Sequence, residues 1–494
     1  MTFSNDSHFE TRTGDLIPSL QAILSDDSLV IGEEPMRPYE CDGLTVYRET
    51  PVAVAIPESE AQVIAVLKLC HELGVPVVPR GAGTGLSGGA LPHSQGVLLS
   101  MTKMKSIVRL DPKNQLAVVQ PGVRNLAISE AAQPYGLYYA PDPSSQIACT
   151  IGGNVAENSG GVHCLKYGLT VHNVVRARVV LMDGEVVELG SEAPDSPGLD
   201  LLALFVGSEG LLGVVTEVTV KLIPSPESAR IVMASFDNAT DAADAVAAII
   251  SAGVIPAGLE MMDQATSAAV EPFVNAGYDL DAAAILLAES DGTSEEVDAE
   301  IAQIEALLQQ CGARSLKVST SEQQRLLFWA GRKAAFPAIG RISPDYYCMD
   351  GTIPRRRLGE MLSAISEMET KYGLRCANVF HAGDGNLHPL IMFDANVDGE
   401  VERAEQFGAE ILELSVAFGG SITGEHGVGA EKINQMCVQY NAEELERFHS
   451  IKRAFDPQGL LNPGKAIPTL HRCAEYGAMI VHGGDLPFPE LPRF

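Results

Sequence analysis

Three glycine-rich segments in the first half of this 494-residue chain restrict what it can fold into. They span residues 79–92, 150–161 and 207–213, among runs of residues with strand-like patterning. Consecutive glycines permit positive φ angles and let several backbone N–H groups point at one anion. We therefore expect a β-rich first half whose loops hold a large, phosphate-bearing cofactor close to the backbone.

The first glycine segment matches the GxGxxG pattern of dinucleotide-binding folds at residues 83–88. In those folds the pattern opens a helix and is followed by a ribose-binding acid in a βαβ unit. Here Gly89 and Pro92 disfavour a helix, and Asp111 lies beyond two further strand-like runs. We therefore predict an anion-binding loop, in which Arg80 and two hydroxyl groups help to hold a pyrophosphate.

Two local patterns have well-marked ends. Residues 60–73 have helical periodicity between an N-cap at Ser59 and a C-terminal stop at Gly74. Residues 174–189 form two β-rich runs joined by Asp183-Gly184, which predicts a hairpin.

The composition changes at Pro224 and Pro226, where we place a domain boundary. The stretch beyond it alternates strand patterns with long polar helices, which is typical of an α+β domain. The predicted divisions are a lead-in segment at 1–50, a cofactor-binding domain at 51–225, a second domain at 226–465 and a tail at 466–494 that packs back on the body.

Charge and cysteine content exclude several classes of protein. Asp and Glu number 64 against 34 Lys and Arg, and a net charge of −30 repels nucleic acids and anionic membranes. We find no apolar run of roughly 18 residues that would span a membrane and no secretory signal near the N-terminus. The nine cysteines are scattered without a CxxC pair, so we expect reduced thiols, a cytoplasmic protein and no iron–sulfur cluster in this chain.

Histidines and a carboxylate recur in the second half. His381 and His388 are the first and last residues of the motif HAGDGNLH, and Glu425-His426 lies in the glycine-rich stretch 420–429. Two imidazoles and a carboxylate can hold Zn²⁺, Mn²⁺ or Fe²⁺ with positions left open for substrate. The spacing alone leaves open that these are hydrogen-bonded polar residues without a metal.

Six motifs occur in fixed order, at residues 79–92, 141–161, 205–218, 381–394, 420–432 and 456–465. They resemble those of the vanillyl-alcohol oxidase / p-cresol methylhydroxylase family of flavoproteins, in its 2-hydroxy-acid dehydrogenase branch. The tail at 467–494 is similar to that of the glycolate-oxidising catalytic subunits in this branch. The resemblance implies an α+β fold, with an FAD-binding domain of two α+β subdomains and an α+β cap domain that contains an antiparallel sheet.

The resemblance also implies that FAD is bound noncovalently, by residues in or near the glycine segments and one residue near the C-terminus. These residues are Pro79, Arg80, Gly81, Gly83, Thr84, Gly85, Ser87, Gly88, Pro141, Asp142, Thr150, Gly153, Asn154, Asn158, Gly160, Gly161, Gly210, Val215 and Asn462.

The implied reaction is the oxidation of a small 2-hydroxy acid, with glycolate to glyoxylate as the first choice. The substrate loses a hydroxyl proton and transfers a hydride to flavin N5. The resemblance implies a divalent metal at His381, His388 and Glu425, which would acidify the hydroxyl as metals acidify bound water, from a pKa of about 15.7 to about 7. His426 is the candidate base, and Arg332 matches the carboxylate-binding arginine.

Substrate size and electron transfer follow from the same resemblance. Pro389-Leu390 offers nothing polar to a second carboxylate, which favours a monoacid. Electrons are expected to pass to companion flavin-domain-like and iron–sulfur subunits, and through them to quinone at the membrane. The alternatives are a D-lactate or D-2-hydroxyglutarate dehydrogenase, and a noncatalytic flavin-binding subunit. We expect Trp329 to be a core residue rather than a pocket wall.

Overall fold

Four β-sheets and the helices packed on them form the fold in this computed structural model, which describes residues 13–193, 198–469 and 472–473. Among the described residues, no helix combines the length and the apolar character that crossing a membrane requires.

The chain divides into two compact units. The first comprises Met1–Gly160, Leu169–Pro224 and Glu425–Phe494, and the second comprises Gly161–Gly168 and Ser225–Gly424. The change of unit at Pro224 lies where the composition changes. Residues 425–465, which the sequence analysis groups with the second domain, cluster with the first unit.

Short strands dominate the chain as far as Pro224. The strands are β1 (Leu29–Val30), β2 (Ala53–Ala55), β3 (Val77–Arg80), β4 (Val97–Ser100), β5 (Ile107–Asp111), β6 (Leu116–Val119), β7 (Leu137–Tyr138), β8 (Val174–Val180), β9 (Val186–Gly190), β10 (Val214–Lys221) and β11 (Ile223–Pro224). The helices are α1 (Leu16–Ile23), α2 (Glu33–Met36), α3 (Glu60–Leu73), α4 (Asn125–Ala132), α5 (Ile151–Glu157), α6 (Cys164–Tyr167), α7 (Thr170–Asn173) and α8 (Leu201–Phe205).

Longer helices follow in the remainder. The strands are β12 (Ser228–Phe236), β13 (Gly258–Asp263), β14 (Ala284–Gly292), β15 (Ser315–Val318), β16 (Asp345–Cys348), β17 (Arg375–His381) and β18 (Asn386–Phe393). The helices are α9 (Ala239–Ser251), α10 (Gln264–Val274), α11 (Ser294–Gln310), α12 (Glu322–Lys333), α13 (Ala335–Ile339), α14 (Leu358–Tyr372), α15 (Glu400–Ala417), α16 (Met436–Gln439) and α17 (Ala442–Phe455). Short 3-10 helices lie at Thr13–Asp15, Asp26–Ser28, Arg37–Tyr39, Gln133–Tyr135 and Arg355–Arg357.

The first unit contains a four-stranded sheet in the order β1-β2-β4-β3. Helix α3 begins after Ser59, whose side chain caps the helix, and ends at Gly74 in the left-handed conformation, as predicted. Its apolar face packs on this sheet together with Leu16 and Leu20 of α1. The lead-in segment, whose periodicity is weak, therefore contributes to a core.

A five-stranded antiparallel sheet, β5-β6-β10-β8-β9, completes the main framework of the first unit. Strands β8 and β9 form the predicted hairpin, with Gly184 at a φ of +79°. Strands β7 and β11 form a separate two-stranded antiparallel sheet. The two larger sheets confirm the expectation of two α+β subdomains.

The C-terminal segment is part of the first unit's backbone pairing. Val77, the first residue of β3, forms a parallel bridge with Leu461. The Val77 N–H donates to the carbonyl of Leu460, and the Asn462 N–H donates to the carbonyl of Val77, each at 2.8 Å. Val77 and Leu461, which are far apart in sequence, thus meet at the strand that leads into the first glycine segment.

The second unit is built on a seven-stranded sheet in the order β15-β12-β14-β13-β17-β18-β16. Every pairing in it is antiparallel, which confirms the predicted antiparallel sheet. Helices α10, α12 and α13 pack apolar residues on this sheet. Trp329 lies in that core with 3% of its surface exposed, as expected for a core residue.

Two expectations are wrong in detail. The second glycine segment is not a loop throughout, because Ile151–Glu157 forms helix α5. Glycine serves close packing there, since a Cβ on Gly152 would lie 2.6 Å from Cβ of Pro121.

The cysteines are also not all reduced, because Cys437 and Cys473 form a disulfide. Their Cα atoms lie 5.2 Å apart although 36 residues separate them, so the sequence spacing gave no sign of the pairing. The other seven cysteines do not form disulfides among the described residues. The predicted packing of the tail falls largely on residues 470–471 and 474–494, which lie outside the described residues.

Candidate functional site

The three glycine segments meet within the first unit. A Cβ on Gly81 would lie 2.4 Å from Thr150 Oγ1, which places the first segment against the second. A Cβ on Gly210 would lie 3.1 Å from the Pro79 ring, which places the third segment against the first. Such close approach requires glycine at these positions. Motifs that are far apart in sequence therefore form one cluster of backbone, here called the glycine cluster (residues 79–91, 150–160 and 207–213).

The first segment leaves β3 as irregular backbone and not as a helix, which confirms the rejection of a dinucleotide-binding turn. Gly83 and Gly88 have φ angles of +72° and +73°. The guanidinium of Arg80 lies over Gly83, where a Cβ would be 2.1 Å from Nη2, and Nη1 donates to the carbonyl of Cys41 at 2.7 Å. A buried cation thus stands at the start of the loop, as expected for a phosphate-binding segment.

Several buried polar atoms in or near the glycine cluster have no hydrogen-bond partner among the described residues. They include Ser87 Oγ, Thr150 Oγ1, Ser208 Oγ and Asp42 Oδ2. Burial raises the pKa of Asp42 to about 6, against the lowering effect of the Leu44 N–H and the charge of Lys465. Leaving such groups without partners costs about 1–3 kcal/mol each. The cluster therefore fits a polar cofactor such as FAD, whose phosphate, ribose and ring atoms can supply the missing partners.

Two predicted cofactor contacts also hold the backbone in shape. Asn125 Nδ2 donates to Asn154 Oδ1 at 3.0 Å and to the carbonyl of Pro141 at 3.1 Å. Asn158 has a φ of +53°, and its Oδ1 accepts the N–H of Val171 at 2.9 Å.

The remaining predicted cofactor residues lie in several kinds of backbone. Gly153 lies in α5 and Val215 lies on β10. Asp142 and Gly160 lie in irregular backbone, and Thr84 and Gly85 lie between Gly83 and Ser87. Gly161 begins the segment that belongs to the second unit.

Asn462 and Lys465 connect the C-terminal motif to the glycine cluster. Asn462 Nδ2 donates to the carbonyls of Gly89 at 3.1 Å and Glu209 at 2.6 Å. Lys465 Nζ donates to Asn462 Oδ1 at 2.7 Å and to the carbonyl of Gly89 at 3.1 Å. Burial lowers the pKa of Lys465 to about 7, although the nearby carboxylates oppose this shift. Asn462 was predicted as a cofactor contact, whereas Lys465 was missed because it also binds backbone carbonyls, those of Gly89 and Leu91, that are more than 370 residues away.

Glu209 holds the segment that carries the predicted base, and the sequence analysis missed this role. Its two carboxylate oxygens accept the N–H groups of Val428 and Gly429, each at 2.7 Å. Burial raises the pKa of Glu209, while these two hydrogen bonds and nearby lysines act in the opposite direction. In the held segment, His426 Nε2 lies 3.9 Å from Glu425 Oε1.

The second unit brings the two predicted histidine ligands together. His381 ends β17 and His388 lies on β18, in adjacent strands of one antiparallel hairpin. Their ring centroids lie 5.0 Å apart at an angle of 82°, and each offers a ligand atom within 4.8 Å of the other. Both side chains are buried. The two histidines can therefore supply two of the ligands of a divalent cation.

Arg332 lies beside His381, and a glutamate that the sequence analysis missed joins them. Arg332 is on α12, and its Nε donates to Glu260 Oε2 at 2.5 Å. Glu260 Oε1 lies 2.7 Å from His381 Nδ1, and Arg332 Nη2 lies 3.4 Å from His381 Nε2. Burial raises the pKa of Glu260, but the charges of His381 and Arg332 outweigh burial, so the pKa is lower than usual. Arg332 is therefore not the surface arginine that a helical position allows.

Asp350 lies beside the second histidine. Its Oδ1 is 3.5 Å from His388 Nε2, and its Oδ2 accepts the hydroxyl of Thr423 at 2.5 Å and the N–H of Gly424 at 3.0 Å. Asp350 thereby fixes the end of the segment that Glu425 and His426 follow directly in sequence. Asp350 was not predicted as a site residue, because these partners lie far beyond it in the chain, two of them 73 and 74 residues away.

Family models match most of the chain. A model described as "FAD binding domain" matches residues 51–190, and one described as "FAD linked oxidases, C-terminal domain" matches residues 225–466. Together they cover the first two segments of the glycine cluster, both histidines and Arg332, but not residues 207–213.

Similar proteins extend the match along the chain. Glycolate oxidase subunit GlcD of Escherichia coli K12 is 60% identical over 97% of this chain and 94% of its own length. The protein of the same name from Bacillus subtilis is 41% identical over 86% of this chain and 91% of its own length. D-lactate dehydrogenase of Anaerostipes hadrus is 34% identical over 88% and 94%.

Solved structures agree on the fold. A crystal structure of p-cresol methylhydroxylase with substrate bound has a TM-score of 0.79 at 20% identity, covering 92% of this chain and 97% of that one. A structure of 4-ethylphenol oxidase from Gulosibacter chungangensis has a TM-score of 0.76 at 18% identity, covering 92% and 96%. At these identities the likeness concerns the fold alone.

Proposed function

The chain belongs to the family of FAD-linked oxidases, in the branch of the hydroxy-acid enzymes, and from that membership we propose that it oxidises glycolate to glyoxylate with bound FAD. The observation that carries the proposal is the 60% identity over 97% of the chain to a glycolate oxidase subunit. D-lactate is the second choice, because the D-lactate dehydrogenase relative is more distant, at 34% identity.

FAD is held by the glycine cluster in this proposal. Arg80 supplies a positive charge at the loop, and the unpartnered hydroxyls of Ser87 and Thr150 donate to the cofactor. The close packing of Gly81 and Gly210 leaves backbone rather than side chains facing the ligand. The bound FAD supplies the oxidising chemistry, as hydride acceptor, and a divalent ion supplies acidification of the substrate hydroxyl.

The protein's own residues bind the substrate and move its proton. Arg332 presents a planar guanidinium that suits the substrate carboxylate, and burial makes that interaction stronger than it would be in water. His426 accepts the hydroxyl proton at a ring nitrogen, since a neutral imidazole is a base of suitable strength near neutral pH.

His381, His388 and Glu425 would hold the divalent ion. The two imidazoles already offer ligand atoms within 4.8 Å of each other, and Glu425 follows Gly424, which is fixed by Asp350. The donor set of two nitrogens and one carboxylate oxygen suits Zn²⁺, Mn²⁺ or Fe²⁺.

A small monoacid fits the residues that follow His388. Leu390 is fully buried in the core of the second unit, and Pro389 has no side-chain donor. Neither residue can bind a second carboxylate, which disfavours D-2-hydroxyglutarate.

Electrons leave the flavin through partner subunits in this proposal. The relatives named glycolate oxidase subunits are by name parts of an assembly. We expect companion flavin-domain-like and iron–sulfur subunits that carry electrons towards membrane quinone. Quinone reduction by the chain alone at the full rate of the co-expressed assembly would contradict this relay.

Anaerobic bleaching of the flavin tests the proposed function. The FAD-containing chain is mixed with glycolate, D-lactate, D-2-hydroxyglutarate or acetate, and the yellow absorbance is followed with and without a chelator. We expect glycolate to bleach the flavin fastest, acetate not to bleach it, and chelator to slow the reaction. If only D-2-hydroxyglutarate bleached the flavin, it would take the place of glycolate as the proposed substrate. If no acid bleached the flavin, the chain would be a noncatalytic flavin-binding subunit.

A further inference from the structure

We propose that Glu260 is a positioning residue that sets the carboxylate-binding arginine, Arg332, and the metal-binding histidine, His381, in one fixed arrangement. The inference rests on the proposed function, because it takes the roles of those two residues from it. Glu260 itself touches neither substrate nor cofactor in this proposal.

Glu260 uses one carboxylate oxygen for each partner. Oε2 accepts Arg332 Nε at 2.5 Å, and Oε1 lies 2.7 Å from His381 Nδ1. All three side chains are at least 96% buried, with exposed fractions of 1% for Glu260 and Arg332 and 4% for His381. Their backbones come from β13, α12 and β17, so the carboxylate joins two strands and a helix of the second unit. A buried ion pair with both oxygens used in this way fixes orientation strongly.

Binding to Glu260 determines which nitrogen of His381 can bind a metal and which nitrogens of Arg332 can bind substrate. A carboxylate only accepts hydrogen bonds, so His381 must donate from Nδ1, and its lone pair is then on Nε2. A carboxylate bonded to the second nitrogen in this way commonly orients a metal-binding histidine. On the arginine, Glu260 uses Nε–H and neither terminal nitrogen, so the terminal N–H groups that do not point at His381 can bind a substrate carboxylate. Arg332 Nη2 lies 3.4 Å from His381 Nε2, so the two functional atoms are adjacent.

A second buried glutamate provides a matched control. Glu289 on β14 accepts Arg325 Nη1 at 2.8 Å and the indole N–H of Trp329, and both of these residues are on α12. It therefore anchors the same helix to the same sheet, and 2% of its surface is exposed. In its described contacts it bonds neither Arg332 nor His381. A change at Glu289 weakens the anchoring of the helix without removing the proposed positioning.

The experiment compares Glu260→Gln with Glu289→Gln in the full FAD-containing chain. Chelator-treated protein is titrated with Mn²⁺ alone, and the dissociation constant is measured by electron paramagnetic resonance of free Mn²⁺. The KM and kcat for glycolate are measured on metal-saturated protein. We expect Glu260→Gln to weaken Mn²⁺ binding by about 10–100-fold, the usual effect of losing such a partner. We expect its KM for glycolate to rise by about 10-fold while Glu289→Gln stays within about 2-fold of wild type in both measurements.

Several results would overturn the proposal. Equal loss of Mn²⁺ affinity in both variants would show that Glu260 only anchors the helix, and wild-type Mn²⁺ affinity and KM in Glu260→Gln would show that it positions nothing. If Glu260→Gln does not fold, Glu260→Asp keeps the charge but withdraws it by one methylene, and the same pattern is expected. Wild-type protein that binds Mn²⁺ but does not oxidise glycolate would overturn the proposed function and leave the Mn²⁺ comparison to decide on Glu260. Wild-type protein that neither binds Mn²⁺ nor oxidises any 2-hydroxy acid would overturn both.

Discussion

Glu209 and Gly429 are joined by a buried hydrogen bond of 2.7 Å between a carboxylate oxygen and a main-chain N–H, although they are 220 residues apart in sequence. The second oxygen binds Val428 in the same way. A Cβ on Gly429 would lie 2.1 Å from the carbonyl oxygen of Ser87, so this segment also lies against the first glycine segment. The segment with the proposed base is thus fixed by the motif that the sequence analysis assigned to cofactor binding.

Glu209→Ala is expected to loosen residues 425–432 because two buried main-chain donors lose a charged acceptor. Losing such bonds costs about 3 kcal/mol, which corresponds to roughly 100-fold faster amide exchange in this segment. Hydrogen–deuterium exchange with mass spectrometry measures the change. Glu217→Ala on β10 is the control and should leave the exchange of residues 425–432 unaltered; equal protection in both variants would refute the role of Glu209.

His426→Ala is expected to keep FAD and to lose flavin reduction, because the proton of the substrate hydroxyl then has no acceptor. A general base contributes about 10²–10⁴-fold to a rate. Stopped-flow measurement of anaerobic flavin bleaching by glycolate gives the rate, and the absorbance spectrum gives the FAD content. His449→Ala serves as a histidine control on α17. Bleaching at the wild-type rate in His426→Ala would rule out the base assignment.

Arg332→Lys is expected to raise the KM for glycolate by about 10-fold or more, since lysine keeps the charge but lacks the planar fork. Steady-state kinetics across a range of glycolate concentrations separates KM from kcat. Arg325→Lys, on the same helix, is the matched control and should leave KM within about 2-fold. An unchanged KM in Arg332→Lys would remove this residue from the substrate site.

His388→Ala is expected to lose the divalent metal, because one of two buried imidazole ligands is removed. Metal content after purification, measured by elemental mass spectrometry, should fall together with activity. Mn²⁺ added at a concentration that saturates the wild-type protein should restore neither the metal content nor the activity. His163→Ala, elsewhere in the second unit, should keep its metal. A wild-type metal content in His388→Ala would exclude it as a ligand.

The carboxyl group of Glu289 is expected to make the free energy of unfolding depend on pH. Burial raises its pKa, but His163, Arg325 and Trp329 together lower it, to about 2 from an ordinary value of 4.5. The unfolded chain therefore takes up this proton before the folded chain does, and stability is lost as pH falls from about 4.5 to about 2. Between pH 5.5 and 3.5, the free-energy difference between wild type and Glu289→Gln should shrink by about 1 kcal/mol. Urea unfolding at both pH values measures it, and a constant difference would contradict the low pKa.

Local sequence patterns predicted the elements that short-range chemistry determines. Helix α3 has its cap at Ser59 and its stop at Gly74, and the hairpin turns at Asp183-Gly184, because each signal lies within the element itself. The resemblance to a known family indicated the antiparallel sheet and the pairing of His381 with His388.

The residues that the sequence analysis missed depend on partners that are far away in the chain. Glu260 meets His381 across 121 residues, and Glu209 meets Gly429 across 220. A glutamate in a strand or beside a glycine carries no mark of such a partner. The Cys437–Cys473 disulfide was missed for the same reason.

The bridge between Val77 and Leu461 has a consequence for synthesis on the ribosome. The seven strands of the second unit lie between Ser228 and Phe393, so the nascent chain can complete that sheet before Leu461 is translated. One edge of β3 pairs with β4, but its other edge must wait for Leu461, which is translated much later. During that interval the strand edge that leads into the first glycine segment stays open to solvent and to chaperones.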